Sequence, residues 1–552
     1  MPGGLLQLVG VGAQNQLVNG NPSMTYFNAM YKRFSNFAME HFQLNFRGTD
    51  LSLPPGGNKT LRCKFSRYAD LVHDTYLCVN LPDIYSPVAV AGTSVTAYQF
   101  QWIPNIGYNM IQEISLLING TPVVTMTGEW MKILSYLKHD NTKRKIINQM
   151  TGNVPELYDP ANGTGRTNQY PNAIQSNPSN APPTLPSIPG RQLTIPLPFW
   201  FCEEVGQALP LVALTEAEVE VVVTFRNIYE LFTIIDVRPG SPTYNTRIPG
   251  EPGDNYLGMQ NFLSPPQFDT TPTNLSLQNW NLNPYLEANY IFLTETERAH
   301  VAGFERTYLI TQPRYQPVAN EYGYNNTLIP MFNLCTRVVA VFQRSDFALL
   351  NMWDNYTNWE NPNVPPNVSA TAGILYSAGA VDQTVVYPQD ILQEANLVFD
   401  GKDRFTTKNT NFFRLIENYK YTRGDTTSLP GIYQYSFAID PNTPTQPSGS
   451  ANGSMFNKTY FQHTLQVPPV TSTSAQPDPV CVVKSTVFNP VPTPAPLIPP
   501  GQPPIFQPGQ TIQLYSKTPN DGMSFQYNGM VYIESFNFLK VTSGTANLIF
   551  ST

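Results

Sequence analysis

The chain has 552 residues, more than one sandwich core can use, since single cores stop growing near roughly 250 to 300 residues, and comfortable for two. Only 13% are charged, while 12% are aromatic and 52 are proline; this excludes a protein of long charged helices and favours short strands and turns, so the expected class is all-β. A net charge of -7 excludes a coat of nucleic acid, because phosphate binding rests on clustered Lys and Arg.

Residues 1–24 carry Gly, Gln and Asn with scattered Leu5, Leu6, Leu8, Val9 and Val11. They show neither helical nor strand period and read as an arm outside any core. No basic stretch precedes them and glycines interrupt them, so they fail as a secretory signal; no apolar run reaches the roughly 18 residues of a spanning helix, and a soluble protein made in the cytosol is expected. Cys63, Cys78, Cys202, Cys335 and Cys481 are odd in number and far apart, which suits unpaired, buried thiols.

Residues 26–40 are aromatic-rich and basic in their middle. Residues 61–65 and 70–81 read as two strands joined by a tight turn, with Arg67 and Asp70 as a bridge across it. Two apolar runs, 114–118 and 123–126, flank Asn119-Gly120, the strongest hairpin signal in the chain. Trp130, Ile133, Leu134 and Leu137 fall at helical spacing, with Lys138 and His139 in the last turn, and predict an amphipathic helix lying on the outside of a sandwich. Lys143, Arg144 and Lys145 read as a solvated face, and residues 155–189 as a long surface loop.

The chain is organised around residues 195–221. An apolar strand with prolines at its start (195–201), a second apolar run (208–214) and strict alternation through Glu216, Glu218 and Glu220 predict consecutive strands folded back on one another, the last with one wet face. Residues 228–282 read as a loop excursion and 288–293 as one more strand. Thr294-Glu-Thr-Glu297 predicts a capping box opening a short helix, followed by a strand at 308–312.

The second half repeats strands and long loops. Apolar runs occupy 337–342 and 397–400, Gly401 to Phe405 forms a turn, and 431–439, 446–452, 531–539 and 540–550 complete the pattern. The proline-dense stretch 489–510 is expected to be a stiff exposed loop.

The block 195–221, the entry segment 26–40, the Arg67-x-x-Asp70 turn, Gly401-Lys-Asp-Arg-Phe405, the 431–452 segment and the closing strands together resemble the major capsid proteins of large icosahedral DNA viruses of eukaryotes, the group that includes the chlorella viruses. The resemblance runs from about residue 24 to the C-terminus. It implies two tandem eight-stranded jelly-roll β-sandwiches with long inserted loops and a few short helices: an arm at 1–24, a first jelly roll at 25–296 and a second at 305–552. It further implies a homotrimer, a pseudo-hexagonal capsomer that tiles a virion shell, made and assembled in the host cytoplasm. The implied partners are neighbouring capsomers, minor capsid proteins and an inner membrane surface below the shell, without direct nucleic acid.

The residues offer no enzyme. His41, His73, His139, His300 and His463 are isolated, with no ligand-spaced pair for a metal. Ser135-Tyr-Leu-Lys138 fits the Ser-x-x-Lys of serine acylases but lacks the accompanying motifs. Glu216, Glu218 and Glu220 share one strand face, and Glu203 and Glu204 point apart, so no acid and nucleophile pair stands out for a glycosidase. No catalytic, cofactor-binding or metal residue is therefore assigned. The alternative is a secreted carbohydrate-binding or carbohydrate-cleaving double sandwich. Asn119 is also a sequon, which its turn explains without a sugar; for the sequons at Asn58, Asn162, Asn274, Asn325, Asn355, Asn367, Asn452 and Asn457 chance is the default explanation in an Asn-rich chain, and they neither prove nor exclude glycans.

Overall fold

The structure, a computed structural model, describes residues 2–29, 31–48, 50–54, 56–86, 88–89, 96–173, 185–237, 247–252, 257–263, 280–359, 388–443, 445–468, 479–481, 515–516 and 525–550. The proline-dense stretch 489–510, Asn274, Asn367 and the side chain of Cys481 lie outside the described residues.

In the first half, strands β1 (Phe37–Asn45), β2 (Lys59–Lys64), β3 (Leu71–Leu81), β4 (Ile111–Ile118), β5 (Thr121–Thr127), β6 (Arg191–Pro196), β7 (Val219–Phe225) and β8 (Tyr285–Leu293) form two four-stranded antiparallel sheets, ordered β1-β8-β3-β6 and β2-β7-β4-β5. In the second half, β9 (Arg306–Glu321), β10 (Gly323–Leu328), β11 (Leu334–Arg344), β12 (Leu392–Phe399), β13 (Lys402–Asp403), β14 (Ile432–Ser436), β15 (Thr459–Leu465) and β16 (Tyr527–Thr542) are ordered β9-β16-β11-β14 and β10-β15-β12-β13. Both halves thus place their first, eighth, third and sixth strands in one sheet and their second, seventh, fourth and fifth in the other. This is jelly-roll wiring, and it occurs twice.

The patterns that build these strands are local. Val219, Val221, Val223 and Phe225 of β7 are buried while the residues between them are half-buried; each inward side chain is worth roughly 1.5–3 kcal/mol of burial. Asn119 and Gly120 take φ of 51° and 76°, and Asp400 and Gly401 of 47° and 79°. These left-handed pairs turn β4 into β5 and β12 into β13 with the twist a hairpin requires. β11 is buried without interruption from Cys335 to Phe342, since both its faces are covered. Val338, Ala340 and Phe342 point into the core of the second half, and Val339 and Val341 into the core shared with the first.

Several expectations are corrected. Residues 208–214 form turns rather than a strand. Trp200–Glu203 is a helical turn, and Leu209 meets Val72 through a single bridge. Pro198 and Pro210 remove ladder donors, so the run fills the core without joining a sheet. Within 228–282, Phe232–Asp236 pairs with Thr96–Trp102 and Arg247–Pro249, a small extra sheet made possible by the β-branched and aromatic run Phe232-Thr-Ile-Ile. The loop 155–189 is not wholly superficial: Leu157 is buried, and the Tyr170 hydroxyl donates to the Phe100 carbonyl at 2.8 Å, burial pushing the phenol up to about 12.

The arm contains two helices, α1 (Gly3–Val9) and α2 (Ala13–Asn19), with no buried residue in either. Helix α3 (Gly128–Lys138) is not on the outside but buried along almost its whole length. In α4 (Asn141–Thr151) Lys143 and Lys145 are exposed as expected, but Arg144 is buried, bonding the Ser135 carbonyl and lying over the Tyr136 ring. Arg67 and Asp70 do not bridge their own turn. Arg67 donates to the Leu214 and Ala217 carbonyls, whereas Asp70 holds Arg298 at 2.8 Å. Helix α5 (Glu295–Gly303) begins after Thr294 as expected, yet the Thr294 side chain caps nothing; the Arg298–Asp70 ion pair fastens it instead.

Candidate assembly surfaces and the junction between the sandwiches

For a chain built of two similar sandwiches, the informative places are where the halves meet and where apolar surface is left open. They meet on α3, which lies in the connection between β5 and β6. The hydrophobic stripe of Trp130, Ile133, Leu134 and Leu137 is buried as its spacing predicts, but so is the polar side, which faces the second half. Lys132 is 0% exposed, and its ammonium donates to the Asp354 carboxylate at 2.5 Å, Asn109 Oδ1 at 3.1 Å and the Trp353 carbonyl at 3.1 Å. The hydroxyls of Tyr356 and Tyr532 both donate to the Glu129 carboxylate at 2.7 Å. Burial first, and the neighbouring carboxylate next, hold both phenols far above their ordinary range.

Trp130 packs on Tyr532 with ring centres 5.0 Å apart, and beside them Arg337 and Glu534 form a buried ion pair at 2.6 Å. Around this centre, Gln312 Nε2 donates to the Val123 carbonyl at 2.5 Å, Trp353 Nε1 to the Glu230 carbonyl at 2.9 Å and Asn351 Nδ2 to the Tyr229 carbonyl at 2.7 Å. The bonds that cross between the halves, from Lys132 to Asp354, from Tyr356 and Tyr532 to Glu129, and from Gln312, Trp353 and Asn351 to first-half carbonyls, fix one relative orientation, because sliding would strand buried polar groups without partners. The junction holds the two sandwiches against each other through buried contacts.

Open apolar surface gathers at the N-terminal end. Leu8, Leu17, Val18, Tyr26, Phe27, Tyr31 and Phe34 are all exposed, large apolar side chains clustered in one terminal segment of the sequence.

The residues weighed for chemistry have structural employment. Ser135 accepts from Arg144 and Lys138 pairs with Glu203. Glu220 pairs with Arg47 at 2.9 Å and Glu218 with Lys64 on the wet face of the β2–β7 sheet. His463 is buried against Glu321 at 2.8 Å, and burial lowers His139 to about 4. Among the described residues no three His, Cys, Asp or Glu side chains gather as metal ligands would. Cys63, Cys78, Cys202 and Cys335 are free. Asn355 is buried and donates to the Trp359 carbonyl, so that sequon is closed in the folded chain.

The family model described as the major capsid protein N-terminus matches residues 25–251, and the model described as the large eukaryotic DNA virus major capsid protein matches residues 297–483. A major capsid protein of Pyramimonas orientalis virus is 31% identical over 473 residues, covering 82% of this chain and 89% of the relative. The chain belongs to this family of viral major capsid proteins. Its role is structural, as a component of a virion shell.

Other members of the capsid family are similar over comparable spans. The major capsid protein of Paramecium bursaria Chlorella virus 1 is 25% identical, covering 86% of this chain and 90% of the relative. Probable capsid protein 4 of Acanthamoeba polyphaga mimivirus is also 25% identical, covering 84% and 93%. Among solved structures, the PBCV-1 virus capsid chain superposes with a TM-score of 0.59 at 19% identity, covering 96% of this chain and all of that one. The Faustovirus major capsid protein superposes with a TM-score of 0.58 at 14% identity, covering 94% and 93%. At these identities the structural likeness speaks for the fold, which agrees with the doubled jelly-roll wiring.

Proposed function

We propose that three copies of this chain associate around a threefold axis into a capsomer with a pseudo-hexagonal outline, which tiles the faces of an icosahedral shell. The observation that carries this reading is the repeated strand order in two halves locked by a buried junction. One chain offers two similar corners at a fixed angle, so three chains offer six. The working units are the arm 1–24, a first jelly roll 25–296 and a second 305–552. The protein performs no catalysis and does not hold the genome, in keeping with its net charge of -7.

The exposed arm lies on the inner side of the shell and orders on contact with neighbouring capsomers, minor capsid proteins or a membrane below, as apolar termini without a core of their own do. Assembly takes place in the host cytoplasm. Incorporation is the direct test: a chain lacking residues 2–22 forms trimers but enters shells poorly, and normal incorporation would refute the role given to the arm.

A further inference from the structure

The ion pair at the junction also has the parts of a reaction. Lys132 projects from α3 into a site closed to water, at 0% exposure, and meets Asn109, 4% exposed, the last residue of the helical turn Ile106–Asn109. The third member of the group, Asp354, comes from the second half. A buried amine, a buried amide and a carboxylate in mutual contact are a nucleophile, an acyl group and a proton carrier.

The geometry assigns each its part. Asn105 takes the left-handed conformation at φ 48° and opens the turn. Asn109 Nδ2 donates back to the Pro104 carbonyl at 2.8 Å, and Oδ1 faces Lys132 Nζ at 3.1 Å. The amide carbon is therefore one bond beyond the atom that the ammonium touches. Asp354 is fixed by both its oxygens: Oδ2 accepts from Asn105 Nδ2 at 2.7 Å, while Oδ1 accepts from Lys132 Nζ at 2.5 Å and from Asn109 Nδ2 at 2.8 Å. One carboxylate oxygen bridges the nitrogen that must lose protons on attack and the nitrogen that must gain one to leave. The Tyr356 ring, its centre 5.1 Å from Nζ, lies over the amine.

We propose that Lys132 and Asn109 join in an intramolecular isopeptide bond, with Asp354 carrying the protons. The ammonium first passes one proton to Asp354 Oδ1 and becomes an amine. Its Nζ attacks Cγ of Asn109 and forms the new C–N bond, leaving a negative charge on Oδ1 and a positive one on Nζ. Asp354 then hands its proton to Nδ2 and takes the surplus proton from Nζ. The Cγ–Nδ2 bond breaks, ammonia leaves, and Asp354 ends as a neutral acid. Atoms and charge balance without an oxidant, a cofactor or a second molecule. The structure holds the three side chains ahead of this step, which each chain makes once and without turnover.

Contact between the reactants removes the cost of bringing them together, an advantage that reaches about 10⁵–10⁸ M in effective concentration for well-oriented groups. The product replaces a buried ion pair, whose desolvation is costly, with an amide and an acid that bear no charge. The bond closes a covalent loop between positions 23 apart in sequence, around the β4–β5 hairpin. It ties down α3, the helix through which the first half grips the second.

Mass spectrometry of the purified full-length chain is the test. Glu113 and Glu129 lie between the two linked residues, so digestion with a glutamate-specific protease should leave the segment carrying Asn109 joined to the segment carrying Lys132, lighter by one ammonia than their sum. Separate segments would overturn the proposal, and this includes an Asn109 segment lighter by one ammonia on its own, which is an internal succinimide. A Lys132 segment joined instead to the one carrying Asp354, with loss of one water, would overturn it too. Asp354→Ala then tests the proton carrier: the joined product should form slower by roughly a hundredfold or more, in a chain that keeps the near-ultraviolet circular dichroism of wild type. Asp354→Ser serves in its place should the alanine variant fail to fold, and a joined product formed at the wild-type rate in either folded variant would refute the part given to Asp354.

Discussion

Replacing Lys132 with methionine should loosen the two sandwiches from each other. The ammonium lies in a site closed to water, 2.5 Å from Asp354, and without it that carboxylate keeps only the amides of Asn105 at 2.7 Å and Asn109 at 2.8 Å. Breaking a buried ion pair by removing one partner costs about 3–5 kcal/mol, mostly the penalty of the charge left behind. Lys138→Met is the comparison on the same helix: its partner Glu203 lies in the first half and both side chains keep some contact with water, so the loss there should be smaller. Urea unfolding followed by tryptophan fluorescence measures the difference, since Trp130 and Trp353 both sit at the junction. Limited proteolysis supplies the junction-specific readout: a cut within Glu295–Gly303 should release separate halves from Lys132→Met and leave wild-type halves associated. A Lys132→Met protein within about 1 kcal/mol of wild type, with its halves still associated after cleavage, would refute the account of the junction.

Burial raises Glu417 to about 7 against an ordinary 4.5, so the native state binds the proton more tightly than the unfolded chain. Its contribution to stability is fully present below about pH 4.5 and falls as pH rises through about 7, by at most about 3 kcal/mol; Glu417→Gln should flatten this part of the Tm profile between pH 5 and 8, and an unchanged profile would contradict the assignment. Burial pushes the thiols of Cys63 and Cys335 up to about 12 and raises those of Cys78 and Cys202. Native protein at pH 8 should therefore resist alkylation at all four, with full labelling only after unfolding, and a Cys63–Cys78 bridge in non-reduced protein would overturn the expectation of free thiols. Deleting residues 2–22 should leave Tm nearly unchanged, because α1 and α2 bury nothing; a truncated chain that fails to fold would place the arm in the core.

What could be read from the sequence is what neighbouring residues decide. The alternation of β7, the Asn119-Gly120 turn and the unbroken apolar run of β11 follow from side-chain period and backbone preference over a few residues. The errors arise where a partner distant in sequence decides. Around α3 the stripe from Trp130 to Leu137 predicts a helix with one apolar face lying on the outside of a sandwich, and Lys132 and Glu129 fall outside that stripe. They are buried because Asp354, Tyr356 and Tyr532 satisfy them, and no local pattern points to residues so far along the chain. The same holds for Asp70, which paired with Arg298 rather than with the nearby Arg67. Residues 208–214 had the hydrophobicity of a strand but lacked the ladder donors, a distinction that the prolines carried and the hydropathy hid.

The most direct test of the assembly role is the mass and outline of the purified full-length chain at micromolar concentration, by light scattering with negative-stain imaging of the same sample. The account predicts a particle of three chains with threefold symmetry and a pseudo-hexagonal outline, each chain burying on the order of 2,000 Å² or more, as permanent assemblies do. A stable monomer, or a dimer with a twofold outline, would contradict it.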